Sequence, residues 1–107
     1  MITAIKAKEI TLKVWRYLEK HPEIRGKGRL PKYLYKTIEN YLNECPLYEY
    51  FHSVKNRKRV GSCKPCPLKS CSRSSGLFVK WVFSDNYDIR QKMAAGIVKK
   101  VDAWRPE

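Results

Sequence analysis

Four cysteines, Cys45, Cys63, Cys66 and Cys71, fall within one short stretch of a 107-residue chain. Three sit in "GSCKPCPLKSC" and the fourth in "NECPLYEYF". The C-x2-C pair suits a single metal ion, because two intervening residues make a tight turn that aims both sulfurs at a point about 2.3 Å away. Cys45 and Cys71, on longer spacers, can close a tetrahedron around the same ion. Four soft thiolates with no open position describe a structural zinc site, not a catalytic one. An iron–sulfur cluster takes the same four ligands and is the alternative cofactor; a Cys-Pro step follows two of the four cysteines. Disulfides or free thiols are a third state. His52 could replace Cys45 as the fourth ligand.

The compartment bears on that choice. No apolar run approaches the ~20 residues of a membrane span. The first residues, "MITAIKAKEITLKVW", place lysines every few positions where a secretory leader needs an unbroken apolar stretch. A cytoplasmic protein with no membrane partner is expected, and there thiols stay reduced, which favours metal over disulfide.

The formal charge is +13, from 23 basic and 10 acidic residues. Between Tyr50 and Ser84 there is no Asp or Glu, while Lys55, Arg57, Lys58, Arg59, Lys64, Lys69, Arg73 and Lys80 all lie there. One divalent ion on four thiolates leaves the chain strongly positive. Two clusters, "RGKGR" (Arg25, Lys27, Arg29) and "KNRKR" (Lys55, Arg57, Lys58, Arg59), are the candidate phosphate contacts, because a positive field steers toward polyanions. Tyr33, Tyr35, Tyr48, Tyr50, Phe51 and Trp81 interleave with basic residues and could stack on bases; most rings in so small a domain are core. Either basic loop alone could be no more than a solvated face.

The elements that must position these groups read as mostly helical, with a small α+β arrangement as the alternative. Ile10, Val14, Tyr17 and Leu18 share a face of a helix over 7–20, ended by His21-Pro22. A glycine-containing connector, "EIRGKGRL", follows. Pro31 opens a second helix over 31–44, with Leu34, Ile38, Tyr41, Leu42 and Cys45 on its inner face. "YEYFHSV" reads as a short strand or irregular, and "LFVKWVF" as a buried strand or a helical turn. Ser84 or Asp85 caps a long C-terminal helix with Ile89, Met93, Ile97, Val101 and Trp104 at helical spacing. The whole is one domain: a helical hairpin (1–44), a metal-binding segment (45–83) and the C-terminal helix (84–105).

No enzyme signature accompanies the cysteines. No carboxylate pair stands in an apolar setting, neither His21 nor His52 has a nucleophile motif beside it, and no phosphate-binding glycine loop occurs. A non-enzymatic, nucleic-acid-binding zinc protein is the expected function. An effector that binds an acidic host protein is the competing class, and an iron–sulfur protein the third.

"CPLYEYF", then "CKPCPLKSC", then Trp81, then "RQKMAAGIVKKVDAW" resembles a group of small phage and prophage proteins of unknown function, over roughly residues 38–104. The chain departs from that pattern at Tyr48, where a further cysteine is expected. The resemblance implies a phage-encoded accessory factor acting in a bacterial host cytoplasm; it implies no activity.

Structural zinc contributes an apparent ~10–16 kcal/mol in small domains, against a total stability of about 5–15 kcal/mol. Cys63→Ser or Cys66→Ser is therefore expected to unfold residues 45–80, and chelation to lower the thermal midpoint. A melting curve unchanged by chelator contradicts this.

Overall fold

Thr3 caps the first helix, which begins at Ala4, three residues before the expected start at 7. Its hydroxyl accepts a hydrogen bond from the Lys6 amide at 3.1 Å, satisfying one of the orphan donors of a helix start. In the computed structural model, which describes residues 2–41, 44–52 and 76–105, helix α1 runs Ala4–Lys20. His21 caps its end, with its amide on the Leu18 carbonyl and its ring stacked on Tyr17. The buried stripe is Ala7, Thr11, Val14, Trp15 and Leu18. Ile10 and Tyr17 border it half-buried, so the core face is rotated toward the small residues and Trp15.

The expected helix over 31–44 is realised differently. A 3-10 turn, Lys27–Arg29, precedes Pro31, and regular helix α2 covers only Lys32–Tyr35. The chain continues in turns to Asn40. Thr37 explains the change: its hydroxyl donates to the Leu34 carbonyl at 2.5 Å, and its own amide bonds the same carbonyl. A side chain competing for a ladder carbonyl tightens a helix locally. Leu34 and Ile38 are still buried as expected. Leu42 lies outside the described residues.

"YEYFHSV" is helical, neither strand nor irregular, through His52. Helix α3 runs Pro46–His52, and proline at its first position suits a place where no amide partner exists. Helix α4, Leu77–Phe83, resolves the ambiguity of "LFVKWVF" in favour of helix. Helix α5 spans Tyr87–Ala103, capped by Asn86 and not by Ser84 or Asp85; the Asn86 carboxamide accepts from the Ile89 amide at 3.1 Å. Among the described residues there is no strand, and the fold is mostly α.

Helices α1 and α5 pack along each other, antiparallel. Lys8 near the start of α1 donates to the carbonyls of Asp102 and Trp104 at the end of α5 (2.9 and 2.6 Å), and Gln91 near the start of α5 reaches the Glu19 carbonyl. Helix α3 packs on α1, and α4 packs on α5. The α4–α5 approach explains a glycine in a helix interior: a Cβ on Gly96 would meet Leu77 Cδ1 at 3.2 Å. Trp15, Phe78 and Trp81 form an aromatic cluster between the layers, with Trp15 edge-on to both partners.

Arg90 is wholly buried in this core. The i+4 reading of α5 began at Ile89, which is exposed; the buried stripe is Arg90, Ala94, Ile97 and Val101. The guanidinium donates to Pro22 O (2.8 Å), Trp81 O (2.6 Å), Ser84 O (3.3 Å) and Ile24 O, and lies over the Trp81 ring at 4.7 Å. Burial, and next the charge of Arg25, pull its pKa below the usual arginine value; an arginine nevertheless keeps its proton in proteins. Arg90→Met keeps much of the volume and leaves several carbonyls buried without donors. It is expected to cost about 3–5 kcal/mol, read from the urea midpoint, with Arg90→Lys between it and the wild type. A loss under about 1 kcal/mol would overturn this role.

Candidate functional site

Cys45 is the cysteine that the described residues include. Cys63, Cys66 and Cys71 lie outside them, as do Lys55, Arg57, Lys58 and Arg59, and nothing is described of the His52 side chain. Among the described residues no group of three His, Cys, Asp or Glu stands together to hold a metal.

The turn carrying Cys45 is held from three directions. Glu44, immediately before it, has φ = 52°, a left-handed backbone that non-glycine residues seldom adopt. Such a conformation persists only where its surroundings enforce it. Tyr35 donates its hydroxyl to the Glu44 carboxylate in a short hydrogen bond, Lys27 Nζ donates to the Glu44 carbonyl at 3.1 Å, and the Glu44 amide bonds the Tyr41 carbonyl at 2.9 Å. The next residue, Cys45, precedes Pro46 and so occupies the N-cap place of α3. Its Sγ accepts the Tyr48 amide at 3.4 Å. An amide aimed at sulfur is the kind of outer contact that steadies a metal-bound thiolate. The cysteine side chain is half-buried against the core.

Lys27 also joins this turn to α4. Its ammonium lies 5.0 Å from the Phe78 ring centroid and 5.9 Å from that of Trp15. The residue preceding Cys45 and the second residue of α4 thus meet at one cation.

The three cations of "RGKGR" have separate fates. Lys27 turns inward as above. Arg25 pairs with Asp85 at 2.7 Å, an exposed pair that ties the segment after α1 to the α4–α5 turn. Arg29 is exposed, and among the described residues no partner engages its side chain. Of the six candidate stacking rings, Phe51 and Trp81 are core, Tyr35 is bound to Glu44, and Tyr48 and Tyr50 are half-buried. Tyr33 is 63% exposed. Lys32 and Lys36 flank it, exposed as well. In sequence they pass for the ordinary solvated side of a helix, and only the inward turn of Leu34 and Tyr35 sets them and Tyr33 apart.

No family model, no curated protein and no solved structure matches the chain. Among the described residues no helix is long and apolar enough to cross a membrane.

The Glu44 clamp has a pH signature. Its hydrogen bond to the carboxylate, then partial burial, then the Glu44 and Glu39 charges, raise the Tyr35 pKa above 10.0. The neutral phenol is thus favoured in the folded state, so this stabilisation is full below pH 10 and is lost as pH rises through the higher folded value. In urea titrations across that range, wild type is expected to lose more stability than Tyr35→Phe. Parallel alkaline limbs for the two proteins would show that the clamp contributes nothing.

Proposed function

We propose that the chain is a small, non-enzymatic zinc protein that binds nucleic acid through backbone contacts. Cys45, Cys63, Cys66 and Cys71 would hold one structural zinc ion, and the ion would fix the cysteine segment to the helical frame. Lys55, Arg57, Lys58 and Arg59 would meet phosphates, with Arg29 the free cation of the first cluster. Arg25 and Lys27 would act mainly as braces, since one is paired with an acid and the other is drawn inward.

The observation that carries this reading is the preset Cys45 turn. A left-handed Glu44 clamped at its carboxylate and carbonyl, an amide already on the sulfur, and Phe78 of α4 beside the same lysine suit a thiolate that takes its partners from the segment between α3 and α4. The donor set is soft and fits zinc; iron–sulfur ligation would use the same atoms. The charge of +13 supports a polyanionic partner. The phage-like cysteine pattern supports an accessory role in a bacterial cytoplasm.

Metal analysis of protein purified without added metal is expected to give one zinc per chain and no visible absorbance; a brown protein would replace zinc with a cluster. Titration with duplex DNA is expected to give a log–log salt dependence of about 0.9 per phosphate neutralised. Absence of binding to any oligonucleotide at about 50 mM salt, where counterion release favours association, together with nuclease-resistant capture of an acidic host protein, would support the effector reading instead.

A further inference from the structure

Between Glu23 and Glu39 the chain carries five cations and no acid. Two of the five are engaged: Arg25 by Asp85, and Lys27 by the Glu44 carbonyl and two rings. The other three, Arg29, Lys32 and Lys36, are exposed, and among the described residues none has a hydrogen bond or ion pair from its side chain. Tyr33 lies among them, one helical turn from Arg29 and from Lys36 along the chain. It is 63% exposed, and its ring meets no other ring among the described residues.

The neighbours settle which way this face looks. Leu34 is 2% exposed and packs into the core, and Tyr35 turns in to Glu44. With those two directed inward, Lys32, Tyr33 and Lys36 share the outer side of α2, and Arg29 precedes them in the 3-10 turn. The backbone under them is fixed at both ends, by Lys27 on the Glu44 turn and by Thr37 on the Leu34 carbonyl. A lone exposed aromatic is ordinary on a protein surface. Three unpaired cations within one turn of it are what select a ligand. The chemistry that satisfies an open π-face framed by cations is an unpaired base on an anionic backbone.

We infer that Arg29, Lys32, Tyr33 and Lys36 form a contact for single-stranded nucleic acid, with the Tyr33 ring stacked on a base and the three cations on flanking phosphates. The inference rests on the nucleic-acid reading above and narrows it to unpaired strands at a defined face. A duplex keeps its bases stacked internally, so it offers this face its phosphates alone. An acidic polypeptide offers charge without a base plane.

Fluorescence anisotropy with labelled oligothymidylate, oligouridylate and a duplex of about twelve nucleotides tests it, a length within the site sizes of such surfaces. Tyr33→Ala is expected to weaken single-strand binding about tenfold or more while leaving the salt slope and duplex binding unchanged. Tyr33→Phe keeps the ring and is expected to bind as wild type does. Arg29→Ala/Lys32→Ala/Lys36→Ala is expected to lower the single-strand salt slope by about two. Thermal melts of each variant separate loss of contact from loss of fold. Wild type that binds oligonucleotides, with Tyr33→Ala unchanged or equally weakened on duplex, overturns this inference alone. Wild type that binds none of the three, or that binds polyglutamate as tightly, overturns it together with the broader reading.

Discussion

A guanidinium taken out of water must find its donors' partners nearby, and the frame of this protein is arranged around that requirement. Arg90 touches carbonyls from two places distant in sequence: Pro22 and Ile24 after α1, and Trp81 and Ser84 at the end of α4. The last carbonyls of a helix lack intrahelical donors, so the Trp81 carbonyl gains a partner it would otherwise lack, and positive charge there is favoured by the helix dipole. Five donors in a planar fork allow one residue to hold both segments, which an ammonium could not do. The Trp81 ring closes the remaining face of the cation.

From that lock the order of the molecule follows. With the exit of α1 held against α4, and α5 antiparallel to α1, the Glu44 turn and the start of α4 are brought together at Lys27. Lys27 then does on a smaller scale what Arg90 does in the core, linking the Glu44 turn to Phe78. The two cations differ in kind. Arg90 is an enclosed fork meeting four carbonyls. Lys27 is a single point charge at the border of the core, with its ammonium over the Trp15 and Phe78 rings.

Much of the frame was legible in the sequence, and the exceptions have specific causes. Leu18, Leu34, Ile38, Ile97 and Val101 are buried where helical spacing placed them. Ile89 is exposed because the stripe runs through Arg90; a charged residue at a core position reads as solvated until its carbonyl partners are known. "YEYFHSV" gave no helical spacing, since its helix-forming cue is upstream, in Cys45 capping a proline-started turn. "LFVKWVF" is too short for periodicity to choose between strand and helix. The second helix was overextended because the pattern of apolar residues cannot show Thr37 bonding back to Leu34. For the site, spacing suggested four ligands; it could not show the left-handed Glu44 that precedes Cys45, nor that Arg25 and Lys27 are already engaged.

The meeting of Glu44 and Phe78 at Lys27 has one more consequence. One ammonium serving a carbonyl before α3, a ring of α1 and a ring of α4 ties the positions of three elements to a single side chain. A change that neutralises or shortens that side chain is therefore felt in all three elements at once, although its sequence neighbours Gly28 and Arg29 are exposed.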